Sequence, residues 1–311
     1  MIQLASLEEI ERLYEQRDLE ALDALAQGTF RTLNKKNNFR SALMLSCNNI
    51  KHLKKIESLE ADAIILNLED GVSPQDKPFA LVLCALFLAR HQKCEKKLIV
   101  RVNSLDEGGY DEIAYLNQFM PDAIRVPKIK TIQEIKSVLH LLHDAVELHL
   151  SIETAQAWNT LSQLRIDSRV NTFYLGILDL FADLGLSQGM IDKENPTMRY
   201  ILSHFLITTR AMGAKAVSFV YQEFKNHEVF REWIELEKEM GYDAKGCLSP
   251  DQVKQVNEVF VNKEEEIKRA RVIVKLFEMH REEGVTGFVD EEYGFIDEPI
   301  YKGALSLLDE N

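Results

Sequence analysis

Several things are scarce in this chain of 311 residues, and each scarcity removes a class of function. Cationic residues are outnumbered, 37 Lys and Arg against 50 Asp and Glu, for a formal charge of -13. That balance argues against broad nucleic-acid binding, which needs a basic face to neutralise phosphates. A small anionic substrate stays open, because local clusters such as Lys93, Lys96 and Lys97 persist. Long apolar runs are missing too. The longest, Phe79–Ala89, stops at Arg90 and is too short to cross a bilayer, so it reads as a buried helix and no membrane role is expected. The N-terminus is acidic and lacks the basic and apolar regions of a signal peptide. The 4 cysteines, Cys47, Cys84, Cys94 and Cys247, form no CxxC pair and no metal-binding spacing, which fits reduced thiols in a cytoplasmic protein. No internal repeat and no low-complexity segment is present.

Hydrophobic residues at 46% and charged residues at 28% supply an ordinary globular core. Residues 1–37 read as a helical extension, opened by the capping-box pair Ser6 and Glu9 and closed by Gly28. From residue 38 to 260 short apolar runs alternate with helical patterns. The runs are Ser41–Leu45, Ala63–Leu68, Leu98–Asn103, Ala123–Pro127, Glu147–Ile152, Thr172–Ile177, Ala216–Val220 and Gly246–Ser249. Helical stretches such as Asp76–His91, Ile132–Ala145, Gln156–Leu164, Arg199–Gly213 and His227–Met240 lie between them, as parallel strands require. Eight such units predict an α/β fold of the closed (β/α)8 TIM-barrel type. An open doubly wound sheet is the rival, though no glycine-rich dinucleotide fingerprint follows the first run. Residues 261–311 read as a charged helix, Glu264–Glu283, then a Gly-containing tail, Gly284–Pro299, and a short helix at Tyr301–Leu308.

Three of the runs end on a charge: Arg101 in Leu98–Asn103, Glu153 in Leu148–Thr154 and Asp179 in Phe173–Asp179. Residues at the C-terminal ends of parallel strands line the mouth where such folds do their chemistry. Two carboxylates with open positions suit a hard cation, Mg²⁺ or Mn²⁺ rather than zinc, and an arginine suits a carboxylate or developing oxyanion. Each has a plainer reading. Glu153 and Asp179 sit where helix N-caps do. Arg101 fits an internal ion pair with Glu69 or Asp70. Glu69 and Asp70 in turn fit either a shell holding metal-bound waters or simple turn chemistry, and Lys128 either neutralises a substrate charge or pairs with a neighbour. His140, His143 and His149 lack an acidic partner pattern and read as solvated or capping. Cys47 and Cys247 have no base nearby in sequence.

In order, the chain reads Arg40-Ser41-Ala42-Leu43, Leu68-Glu69-Asp70-Gly71-Val72 with Lys77, Val100-Arg101-Val102-Asn103 and Val126-Pro127-Lys128. It continues with Ile152-Glu153-Thr154-Ala155, Gly176-Ile177-Leu178-Asp179-Leu180, and Phe295-Ile296-Asp297-Glu298-Pro299. This ordered set resembles the citrate lyase beta subunit-like branch of the HpcH/HpaI aldolases, which includes malyl-CoA and citramalyl-CoA lyases. The resemblance implies a barrel with a C-terminal lid and Mg²⁺-dependent cleavage, or formation, of a carbon–carbon bond in a carboxylated β-hydroxyacyl thioester, carried on CoA or an acyl carrier protein. It puts the metal ligands on Glu153 and Asp179, the substrate arginine on Arg101, a proton-relaying lid acid on Asp297 and a cofactor-phosphate arginine on Arg40. It also implies a homo-oligomer, a trimer or its multiple, in which Asp297 reaches a neighbour's site. Asn67 and Ser218 stand where the family usually has Asp. A pyruvate-type metal aldolase, an acyl-CoA thioesterase and a non-catalytic acyl-thioester-binding subunit are the alternatives.

Overall fold

The computed structural model describes residues 6–26, 31–53, 55–260 and 264–309; Gly28 lies outside them. The chain divides into two compact units, Met1–Phe260 and Val261–Asn311.

In the first unit eight strands are β1 Ser41–Ser46, β2 Ala63–Asn67, β3 Lys97–Arg101, β4 Ala123–Val126, β5 Glu147–Ile152, β6 Val170–Leu175, β7 Lys215–Val217 and β8 Lys245–Cys247. Every pairing is parallel, in the order β7-β6-β5-β4-β3-β2-β1-β8. The two ends of that order meet through a parallel bridge between Ser218 and Lys245, with Ser218 N–H donating to the Ala244 carbonyl at 3.0 Å. The sheet is thus a nearly closed barrel and not an open one. Its helices are α1 Leu7–Glu15, α2 Leu19–Ala26, α3 Ile50–Leu53, α4 Lys77–Arg90, α5 Gly109–Leu116, α6 Ile132–Leu141, α7 Ala155–Asn159, α8 Ile177–Asp183, α9 Pro196–Ala211, α10 His227–Met240 and α11 Pro250–Val259.

Strands buried on both faces read as continuous apolar runs because helices cover the outside and side chains fill the inside. Part of the interior is apolar: Ala42, Ala63, Ile65, Ile99, Ala123, Tyr174, Val217 and Ala244 pack together with Phe39. Helix α4 is buried nearly all round, Phe79 to Ala89, because α2 packs on its outer side. Ser6 caps α1 by accepting from Glu9 N–H at 3.1 Å, and Arg17, in a left-handed conformation, ends that helix and stacks on Phe79. The segment after α2 crosses the N-terminal end of the barrel. There Arg31 makes two 2.7 Å bonds to Asp122, and Asp122 also accepts from Leu98 N–H at 2.7 Å.

One buried ion pair fastens the seam of the barrel. Lys245 and Glu237 are both fully buried and 2.6 Å apart, and Ser218 Oγ donates to the same Glu237 oxygen at 2.6 Å.

The second unit holds α12 Glu264–Glu282, an antiparallel hairpin of β9 Gly287–Asp290 and β10 Gly294–Asp297, and α13 Glu298–Asp309. Ala270, Ile273, Phe277, Ile296 and Ala304 form its core, and Phe277 stacks on Tyr301 at 4.5 Å. Among the described residues no helix is long and apolar enough to cross a membrane.

Candidate active site

The C-terminal ends of β2 to β6 bring most of the expected residues together. Glu153 follows β5 and is 2% exposed. It does not cap α7: Thr154 does, accepting from Ala157 N–H at 3.1 Å. One Glu153 oxygen instead accepts the backbone N–H of Lys128 at 2.6 Å. Lys128 is held with φ of 50°, left-handed for a residue with a Cβ, a strain that aims this N–H into the site. The other side of Glu153 lies against Gly176. A Cβ there would come within 2.6 Å of the Glu153 Cβ, so only glycine leaves room for the carboxylate.

Gly176 is also the N-cap of α8, and Asp179 follows in its first turn, exposed and not acting as a cap. Asp179 and Glu69 both act on the Lys128 ammonium; although burial pulls Lys128 down, these carboxylates hold it above its usual value.

Arg101 ends β3 and is ion-paired to Glu69, with Asp70 farther away at 3.4 Å. Glu69 also faces the Lys128 ammonium at 3.3 Å. The internal pairing of Arg101 is therefore real, and so is the pairing of Lys128. Asp70 itself is exposed on the turn, its backbone carbonyl accepting from Asn67 Nδ2 at 2.5 Å. Lys77 donates to Asn103 Oδ1 at 2.6 Å, and Asn103 Nδ2 reaches the Leu68 carbonyl at 3.2 Å, which ties the ends of β2 and β3 together.

Burial sets the electrostatics. It pushes the carboxyls of Glu69 and Glu153 above their ordinary range, against the pull of Arg101. With both Glu69 oxygens taken up in ion pairs, Asn67 Oδ1, Arg101 Nε and Arg125 Nη1 are buried without a hydrogen-bond partner. Unfilled polar atoms gathered on β2 to β4 mark a place completed by something else.

The guanidinium donors Arg101 Nε and Arg125 Nη1 suit an anion there, whereas the carboxylates beside them suit a divalent cation. For the cation the available donors are carboxylate and amide oxygens, and two buried carboxylates above their usual pKa gain most from a nearby positive charge. Among the described residues no group of three or more His, Cys, Asp and Glu stands ready to hold a metal. An ion held by the two carboxylates Glu153 and Asp179 alone would take water at its remaining positions, the habit of Mg²⁺.

Arg40 lies apart from these residues, and the reading of His149 needs correction. Arg40 precedes β1, at the opposite, N-terminal end of the barrel, where it is paired with Asp62 at 2.9 Å. His149 is neither solvated nor a cap but lies wholly inside the barrel between Glu147 and Tyr174. His143 does cap a turn, accepting from Ala145 N–H at 3.1 Å. Burial drives the Cys247 thiol up to about 12, which removes it as a nucleophile. In the second unit Asp297 accepts from Ile300 N–H at 3.1 Å at the start of α13.

Sequence reasoning missed Arg125, the Lys128 N–H and the packing role of Gly176. For Arg125 a signal existed: an arginine centred in a short apolar run.

Comparison with known proteins gives the family and the fold. A family model described as HpcH/HpaI aldolase/citrate lyase matches residues 40–250. A (3S)-malyl-CoA thioesterase of Cereibacter sphaeroides is 31% identical over 241 residues, 77% of this chain and 83% of that protein. The mitochondrial citramalyl-CoA lyase of Rattus norvegicus is 26% identical over 290 residues, 86% and 85% of the two chains. Among solved structures, CitE of Mycobacterium tuberculosis in complex with magnesium, acetoacetate and coenzyme A has a TM-score of 0.64. It is 20% identical and is matched over 88% of this chain and 98% of that one, a likeness of fold.

Proposed function

This chain belongs to the HpcH/HpaI aldolase/citrate lyase family, and from that premise we propose that it is a Mg²⁺-dependent carbon–carbon lyase acting on a carboxylated β-hydroxyacyl-CoA. The observation that carries the reading is the gathering of Glu153, Arg101, Glu69 and Lys128 at one end of the barrel, with buried polar atoms left unfilled. Relatives named for citramalyl-CoA and malyl-CoA support the substrate class.

Bound through Glu153 and Asp179, Mg²⁺ would supply Lewis acidity toward the substrate's hydroxyl and carboxylate oxygens. Gly176 and the Lys128 N–H fix where Glu153 points. Arg101 offers its guanidinium to the thioester oxygen, where negative charge develops in the transition state. Glu69 holds that guanidinium in place and is itself steadied by the Lys128 ammonium at its other oxygen. In cleavage the hydroxyl proton leaves to a base, the bond between the α- and β-carbons breaks, and a carbonyl forms at the former hydroxyl carbon. The bond's electron pair becomes the enolate of the departing acyl thioester, which takes a proton at carbon. We assign the proton relay to Asp297 of a neighbouring subunit in a homo-oligomer, a trimer or its multiple. Mixing inactive Asp297→Ala and Glu153→Ala proteins checks this: activity returns if sites are shared, and stays absent after proven subunit exchange if they are not.

A second reading, hydrolysis of the thioester, has the 31% identical thioesterase in its favour. Incubation with malyl-CoA, citramalyl-CoA and a citryl thioester, with and without Mg²⁺, separates the two. A lyase releases acetyl-CoA and an oxo acid, whereas a thioesterase releases free CoA thiol and the intact hydroxy acid. Turnover that persists unchanged in excess chelator contradicts both.

A further inference from the structure

The barrel holds a second interior arginine that the reaction above leaves unused. Arg125 of β4 is the register neighbour of Arg101 on β3 and is 4% exposed. Its Nε donates to Ser151 Oγ at 2.8 Å, and its guanidinium lies 4.0 Å over the Tyr174 ring. Its Nη1 has no partner. A polar chain runs away from it toward the N-terminal end of the barrel. Tyr174 O–H meets His149 Nδ1 at 3.3 Å, which leaves His149 Nε2–H to donate to Glu147 at 3.1 Å. Glu147 is in turn 2.6 Å from the Lys97 ammonium, which donates to the Lys36 carbonyl at 3.1 Å.

Burying so many polar and ionic groups is costly, and the Tyr174 ring of this chain packs among apolar residues such as Ala63, Ile65, Ile99 and Val217. The column's upper end is what distinguishes it. Burial pushes the Arg125 guanidinium down to about 10 and Arg101 pushes the same way, while Glu153 and Glu69 oppose them. Arg125 is therefore a fixed cation within the field of both site carboxylates. Arg101 alone is largely neutralised by Glu69, so a second guanidinium restores positive potential where the thioester oxygen gathers charge.

We propose that Arg125 is a positioning residue for this reaction: anchored by Ser151, Tyr174 and the chain beneath, its charge stabilises the developing anion through Arg101 without touching substrate. The inference rests on the acyl-thioester reading. It separates from a packing role by sign, because a fixed cation favours an anion but repels a divalent metal.

The test uses the full chain with Arg125→Met and Arg125→Lys. Mn²⁺ affinity is measured by calorimetry without substrate, kcat and KM on the thioester that the wild type turns over, and folding by thermal melting. Arg125→Met is expected to lower kcat by about tenfold or more, with KM little changed and Mn²⁺ bound as tightly as before or tighter. Arg125→Lys, which keeps the charge, is expected to recover most of kcat. Parallel loss of Mn²⁺ affinity and kcat in a folded Arg125→Met protein overturns the proposal, as does unchanged kcat. Should Arg125→Met not fold, the lysine variant decides: a folded Arg125→Lys with kcat down tenfold or more refutes a role of charge. A wild type that binds no Mn²⁺ and turns over no thioester brings down the functional reading and this inference with it; an active wild type matched by Arg125→Met brings down this inference alone.

Discussion

Replacing Gly176 with alanine isolates one contact of the site. Gly176 has φ of −91° and ψ of 75°, so alanine carries no left-handed backbone strain there. The added Cβ nevertheless meets three atoms, all of Glu153, with the Glu153 Cβ at 2.6 Å, about 0.8 Å inside ordinary contact. Glu153 has little freedom to yield, since it is 2% exposed and bound to the Lys128 N–H at 2.6 Å. Forced overpacking of this kind costs about 1–3 kcal/mol. A carboxylate displaced by most of an ångström should also lose divalent-metal affinity by at least about tenfold. Urea denaturation and Mn²⁺ calorimetry read the two effects. In a Glu153→Gly background the methyl meets no Cβ, and the same substitution should then cost little, a coupling visible in a double-mutant cycle. A neutral Gly176→Ala, or an equal cost in both backgrounds, refutes the reasoning.

Arg101→Lys keeps charge but loses the planar fork; kcat should fall by about 10²–10³, or 2.7–4 kcal/mol, with melting little changed. Near-normal turnover removes Arg101 from the mechanism. His149 is held neutral, with burial lowering its pKa from 6.5 to about 4 despite the Glu147 hydrogen bond. Its contribution is therefore present above the unfolded value and is lost as pH falls from 6.5 toward 4. Wild type should lose about 2 kcal/mol more than His149→Gln between pH 7 and pH 5, read by denaturation at each pH. Lys245→Met strands the Glu237 carboxylate at the barrel seam and should cost about 3–5 kcal/mol, while Lys245→Met with Glu237→Leu recovers much of it. Equal melting of the single and double variants argues against that pair as the fastening.

The barrel was legible because parallel strands covered on both faces leave apolar runs, and all eight appear within a few residues of the expected positions. The same burial hid the interior. The trace it left is an alternation: Glu147, His149 and Ser151 alternate with Leu148, Leu150 and Ile152, and Arg125 lies between Ile124 and Val126, a polar inward face that reading the runs as simply apolar passes over. The cofactor-phosphate role of Arg40 rests on motif likeness alone. Its position before β1, and not after it, already put it at the end of the barrel opposite Glu153. The all-round apolar character of Phe79–Ala89 signalled burial but not its cause, the packing of α2 across α4. The strained Lys128 backbone and the contact of Gly176 with Glu153 are three-dimensional facts with no trace in residue spacing.

The central claim is that Glu153 and Asp179 together hold one catalytic cation. The most direct test is an anomalous difference map from a crystal soaked in Mn²⁺. The account predicts a single peak within coordination distance of both carboxylates, its other positions filled by water. A map from well-ordered crystals with no peak touching both residues would contradict it.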